Sequence, residues 1–135
     1  MKPNIMTEDE VVSTLCNWLK KDGWVIVKSC TARQKGNDIE ATKGERFLIV
    51  EAKGLKGKLS HTKREKFDSG QIKNHIGGAI VKVLEQKDDY PNAEIAIAYP
   101  ENDHARKVLK KISKQLNNIG IKLFWVVDEN TVLQD

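Results

Sequence analysis

The chain is short of cysteine, of paired histidines and of long apolar runs, and each shortage closes a class of function. Two cysteines in 135 residues make no disulfide scaffold, and neither stands at zinc-ligand spacing from a histidine or from the other. Cys16 falls in a helical pattern and Cys30 at the end of an apolar run. A disulfide between them is open, and two buried thiols in a reducing compartment are the simpler expectation. His61, His75 and His104 stand alone, as surface or structural histidines usually do. The longest aliphatic runs, Val25-Ile26-Val27 and Leu48-Ile49-Val50, are far too short to cross a bilayer. No apolar stretch marks Met1 to Thr7 as a signal peptide, so the cytoplasm is the expected compartment. No Gly-x-Ser-x-Gly elbow, Gly-x-Gly-x-x-Gly or P-loop is present, which disfavours a serine hydrolase and a nucleotide-binding enzyme.

What is there suffices for one domain spanning 1–135. Hydrophobic residues make up 39% and charged residues 31%, enough apolar material for one modest core. A chain of this size buries roughly 65–70% of its unfolded surface, so no disulfide or structural metal is needed. The formal charge of +4 and the pI near 9.0 permit nucleic-acid binding without demanding it. The distribution says more. Between Lys53 and Lys66 stand six basic residues (Lys53, Lys56, Lys58, Lys63, Arg64, Lys66) and one acid, Glu65. Charge alone describes a solvated loop; its place in the chain, below, suggests a phosphate contact.

Thr7-x-x-Glu10 fits a capping box, followed by Val11, Val12, Leu15, Cys16 and Leu19 at helical spacing, so a helix is expected over 7–21. Gly23 ends it. Trp24 to Cys30 reads as a strand and 31–37 as a polar loop. Asp38 to Thr42 and Arg46 to Lys53 read as strands joined by the Lys43-Gly44-Glu45 turn, a hairpin. Residues 54–65 read as a loop. A second helix is expected over 66–87, with Ile72, Ile76, Ala79, Ile80 and Val83 on one face. Gly77-Gly78 inside it asks for a close packing contact; a competing reading ends the helix at Gly77 and makes Ala79 to Leu84 a strand. A strand over 93–99, a helix over 102–118 and a strand over 121–127 complete the chain, with a short tail. The order α-β-β-β-α-β-α-β describes an α/β sandwich: a mixed sheet, antiparallel at its start and parallel later, with helices on both faces. Trp18, Trp24 and Trp125 lie in apolar patterns and read as core or interface residues rather than base-stacking platforms. Lys107, Lys110, Lys111 and Lys114 read as a solvated face.

One stretch carries chemistry: Gly36-Asn37-Asp38-Ile39, then Phe47-Leu48-Ile49-Val50-Glu51-Ala52-Lys53-Gly54. Strand alternation points Leu48, Val50 and Ala52 one way and Phe47, Ile49, Glu51 and Lys53 the other. An acid and a lysine at the end of a core strand are costly unless they are paired or bind an ion. The hairpin sets Asp38 opposite that end. Two carboxylates and one ammonium there make a hard-oxygen site suited to Mg²⁺, with the Ala52 carbonyl as a further ligand. An ion pair across the strand end is the plain alternative. The second acid-x-Lys triplet, Glu85-Gln86-Lys87, lacks an apolar strand before it and reads as a solvated helix end.

Asp38, twelve residues, then Glu51-Ala52-Lys53 resembles the PD-(D/E)xK phosphodiesterase superfamily, the fold of many restriction endonucleases, Holliday-junction resolvases and repair exonucleases. The element order agrees over most of the chain, making the expected fold a restriction endonuclease-like sandwich. Asn37 stands where the family often has proline, a change that removes no ligand. The resemblance implies metal-dependent cleavage of nucleic-acid phosphodiesters, with DNA favoured over RNA, Mg²⁺ as cofactor and Mn²⁺ able to substitute. It implies Asp38 and Glu51 as metal ligands and Lys53 as the group that orients water or stabilises charge. Some members carry a further acid on the first helix. Glu8 lies in line with Val12, Leu15 and Leu19, whereas Glu10 points away and serves the capping box. Related nucleases also present a polar residue from the helix after the third strand, here Gln71, with His75 one turn on. Lys56, Lys58, Lys63, Arg64 and Lys66 would then grip flanking phosphates. The resemblance also allows a homodimer, and a partner protein that supplies specificity. A non-catalytic nucleic-acid-binding or interaction module on the same fold is the alternative.

Overall fold

Thr7 sets the first helix in place. Its hydroxyl accepts the Glu10 N–H at 3.2 Å, and the Glu10 carboxylate accepts the Thr7 N–H at 3.0 Å. This reciprocal cap begins α1 (Glu8–Lys21), whose Val11, Val12, Leu15, Cys16 and Leu19 are buried. The computed structural model describes residues 6–29, 36–55 and 69–135. After α1 the chain forms β1 (Val25–Ser29), β2 (Ile39–Lys43), β3 (Arg46–Ala52), α2 (Ser69–Asp89) and β4 (Glu94–Pro100). It ends with α3 (Asp103–Lys110), α4 (Ser113–Asn118), β5 (Ile121–Asp128) and β6 (Thr131–Gln134).

The six strands form one sheet in chain order, β1 to β6. β1, β2 and β3 pair antiparallel, β3, β4 and β5 parallel, and β6 closes antiparallel on β5. This is the expected mixed α/β sandwich. Gly44, at a φ of 62°, makes the tight turn between β2 and β3. From Lys43↔Arg46 the register runs to Ile39↔Val50, so Asp38 arrives opposite the end of β3.

The alternation of β3 divides two cores. Leu48, Val50 and Ala52 join Val11, Leu15 and Leu19 of α1 on one face. Ile49 joins Ile95, Ile97, Ile72, Ile76, Ala79 and Val83, together with Ala105, Leu109 and Leu116 of α3 and α4, on the other. Each such buried aliphatic side chain contributes about 1.5–3 kcal/mol relative to an exposed one, so the two layers hold β3 and α2 firmly where the polar groups meet.

The competing strand over 79–84 falls, and three expectations change in detail. Ala79 to Leu84 is helical, within α2. Gly77 and Gly78 make no close packing contact; a Cβ at either would meet nothing within 4 Å. The expected 102–118 helix is two helices. The Ile112 N–H turns back to the Leu109 carbonyl at 3.0 Å, a tight three-residue bond that re-aims the chain, while Leu109 and Leu116 both stay buried. The tail is a strand, β6, held by buried Val132. Beyond it, Asp135 Oδ2 accepts from Trp125 Nε1 at 2.7 Å and from Arg106 Nη1 at 2.9 Å. Trp24 and Trp125 are buried, and Trp18 sits edge-on to Phe124. Lys107, Lys110, Lys111 and Lys114 are exposed, as expected. Cys16 is a buried free thiol; Cys30 lies outside the described residues. Among the described residues, no helix is long and apolar enough to cross a membrane.

Candidate active site

Asp38 stands just ahead of β2 and is 5% exposed. Paired β2 residues end at Ile39, so the next N–H of β3, that of Ala52, has no strand carbonyl opposite it. Asp38 Oδ2 accepts that N–H at 2.8 Å. The side chain thus continues the ladder, which fixes the carboxylate at the strand end. The Ala52 carbonyl points the same way as its N–H in an extended strand, toward the Asp38 side. Buried Asn37 braces the approach, donating to Glu40 Oε2 at 3.2 Å and to Gln86 Oε1 of α2 at 3.1 Å.

Glu51 is 4% exposed and shares the α2 face of β3 with Ile49. Lys53 Nζ lies 3.8 Å from its Oε1. On its other side, Lys82 Nζ from α2 lies 3.0 Å from Oε2. Lys82 also donates to the Gly36 carbonyl at 3.1 Å.

Glu8 reaches the same place from α1. A Cβ on Gly54 would stand 2.3 Å from the Glu8 nitrogen and 2.6 Å from the Thr7 carbonyl carbon. Only glycine lets the two backbones come so close. The Leu55 N–H then bonds the Met6 carbonyl at 2.9 Å. The capping box fixes the helix start, and Glu8, its first residue, faces inward while Glu10 is occupied in the cap. One carboxylate oxygen from each of Glu8, Asp38 and Glu51 lies within 4.8 Å of the others. Oxygens on one octahedral Mg²⁺ stand about 3 to 4 Å apart, so three carboxylates this close can turn onto a single ion. The all-oxygen donor set fits Mg²⁺ or Mn²⁺ rather than a thiophilic metal.

The electrostatics match this crowding. Burial, and then the neighbouring Asp38 carboxylate, push Glu51 up to about 7. Burial and Asp38 also raise Glu8. Asp38 is raised by burial, against the pull of the Ala52 N–H and the two lysines. Three carboxylates face two ammonium groups, so the cluster is short of positive charge.

Gln71, His75, Lys82 and Gln86 form a half-buried polar stripe on α2, with exposed Gly78 in the remaining slot. Burial, and then the Lys53 charge, lower the His75 pKa. Gln71 lies one turn before His75 on the same face. Lys56, Lys58, Lys63, Arg64 and Lys66 fall outside the described residues. Lys82 is the group that sequence reasoning missed. Its signal is phase: it follows Gln71 and His75 at helical spacing on the one polar edge of the apolar face.

The fold and site thus define a mixed α/β sandwich whose carboxylate cluster gathers at the ends of β2 and β3. Two crystal structures share this architecture. One is an XisH family protein from Nostoc punctiforme PCC 73102, with a TM-score of 0.55 and 18% identity, covering 87% of this chain and 90% of that one. The other is an fdxN element excision controlling factor protein from Anabaena variabilis, with a TM-score of 0.55 and 19% identity, covering 87% and 89%. At such identity the likeness is one of fold. No protein-family model matches the sequence, and no curated protein matches it.

Proposed function

We propose that this chain is a metal-dependent nuclease of the PD-(D/E)xK type, hydrolysing phosphodiester bonds of nucleic acid, DNA foremost. The observation that carries the reading is the convergence of Glu8, Asp38 and Glu51 from α1, the β2 approach and β3 onto one point, with Lys53 beside it. The name of one fold neighbour, a factor controlling excision of the fdxN element, sits comfortably with chemistry on DNA.

In this reading Asp38 and Glu51 hold Mg²⁺, with Glu8 and the Ala52 carbonyl completing the protein's share. Bound there, such an ion would supply Lewis-acid stabilisation of the phosphoryl oxygens and ease deprotonation of the attacking water. Lys53 Nζ orients that water and meets the charge that develops on the phosphoryl group. Asp38, held by the Ala52 N–H, cannot turn away, so the ligand geometry is set before substrate arrives. Gln71 and His75 face the substrate from α2, and the basic residues 56–66 hold flanking phosphates by charge. A homodimer, or a partner that supplies specificity, is compatible with a domain this small.

The test is cleavage by the purified chain of supercoiled and linear duplexes, single strands, branched junctions and RNA, with Mg²⁺, Mn²⁺ or EDTA. Metal-dependent cutting that falls on the order of a hundredfold or more in Asp38→Ala and Lys53→Ala is expected. DNA binding with no cutting on any substrate would instead favour a non-catalytic binding module on the same fold.

A further inference from the structure

Lys82 has a position that the nuclease reading does not use. Its ammonium bridges Glu51 Oε2 at 3.0 Å and the Gly36 carbonyl at 3.1 Å. A divalent ion held by Glu51 would draw on the same carboxylate, and two cations so close repel strongly in a partly buried site. Lys82 and the ion therefore compete for Glu51. The Lys82 side chain is 40% exposed, so solvent and an incoming anion can approach it. Gly78 stands one turn before Lys82 on the same edge of α2 and carries no side chain to crowd it. A Cβ at Gly78 would find no atom within 4 Å, so the space on that side of the helix is open. Tyr99, Ile72 and Ile76 are buried on the layer beneath, and hold α2 still while the side chain moves.

We infer that Lys82 is a stand-in cation: it neutralises Glu51 before the metal arrives, and passes to a non-bridging phosphate oxygen of the nucleic acid when metal and substrate are both present. This deepens the nuclease reading and rests on it. Metal and nucleic acid then bind with positive coupling, because the phosphate draws away the group that competes with the ion. Lys53, which follows directly on β3, stands farther from Glu51, at 3.8 Å, and has the separate role given above.

The experiment is a Mn²⁺ titration of the full chain, followed by calorimetry or by the free-ion EPR signal, for wild type, Lys82→Met, Lys82→Gln and Lys82→Arg. Thermal melts check that each variant folds. Without nucleic acid, Lys82→Met and Lys82→Gln should bind Mn²⁺ about tenfold more tightly than wild type, while Lys82→Arg stays close to it. With a phosphorothioate duplex added, wild-type Mn²⁺ affinity should rise severalfold and that of Lys82→Met should not. Unchanged or weaker Mn²⁺ binding in both neutral variants would overturn the assignment and make Lys82 a structural strut. Tighter binding in those variants, beside a wild type that cuts nothing, would keep the stand-in role and remove the nuclease reading. Absence of Mn²⁺ binding in every variant would remove both.

Discussion

Glu94 and Glu51 lie toward opposite ends of the parallel β3–β4 pair, and their surroundings differ in kind. Glu94 opens β4 opposite Leu48. Arg46 grips it with two bonds of 2.7 and 2.8 Å, and Lys122 of β5 binds it as well. The paired guanidinium bonds, with Lys122, hold the Glu94 carboxyl down at about 2. Glu51 closes β3 among two other carboxylates, and burial with Asp38 lifts it to about 7. One end of the sheet carries more positive charge than its acid requires; the other carries less. The first arrangement stabilises the fold. The second costs stability, and a cost retained at one end of a well-packed sheet is what a binding site for a cation needs.

The largest expected effect comes from Gly54→Ala. The added Cβ would meet backbone atoms of Thr7 and Glu8 at 2.6 and 2.3 Å, which no side-chain rotation relieves. The fold should lose about 3 kcal/mol, read as a lower melting temperature. Mn²⁺ affinity should fall as well, because Glu8 moves with that backbone. Undiminished Mn²⁺ affinity in the Gly54→Ala variant would show that Glu8 is dispensable to the site.

Two Glu→Gln changes sharpen the contrast, since they should have opposite signs. Glu51 has its pKa raised from 4.5 to about 7 in the folded state. Between those values the native protein holds more protons than the unfolded chain, so stability falls as pH rises through that window and is flat above it. In EDTA, Glu51→Gln should therefore gain about 1–2 kcal/mol at pH 8 and nothing near pH 4, by denaturant melts at both pH values. With Mn²⁺ present the order at pH 8 should reverse, because only wild type has the ligand. At the other end, the Glu94 pKa is lowered from 4.5 to about 2. That contribution is complete above the unfolded value and fades as pH falls toward 2. Because the bridge is partly solvated, Glu94→Gln should cost only about 1 kcal/mol at pH 7, with the difference closing in acid. A loss of stability in both variants at pH 8 would erase the distinction between the two ends.

The hairpin that places Asp38 against β3 is legible because strand alternation and a glycine turn leave one workable register. Glu8 is legible because helix phase puts it in line with Val12, Leu15 and Leu19. Lys82 is not. It stands 29 positions beyond Lys53, and although Ile72, Ile76 and Val83 give the phase of the helix, only the packing of α2 beside β3 brings its polar edge to Glu51. The break before α4 is equally hidden, since Ala105, Leu109 and Leu116 keep helical spacing across it. β6 escapes notice because a four-residue strand with Val132 as its single buried residue has no periodicity to read. Gly54 is in view beside the motif, but its reason, the approach of a backbone from α1, exists only in three dimensions.

The turn between β2 and β3 shows how little surface can govern a buried centre. Gly44 and Glu45 are exposed and touch none of the acidic groups. Yet the count of residues from that turn to Asp38 decides which face of the sheet its carboxylate meets, since a slip of one place inverts every side chain. The turn is a ruler: tolerant of substitutions that keep its geometry, intolerant of insertion or deletion. Lengthening or shortening it by a single residue would disarm the site from about the length of a β-strand away, without altering one of its chemical groups.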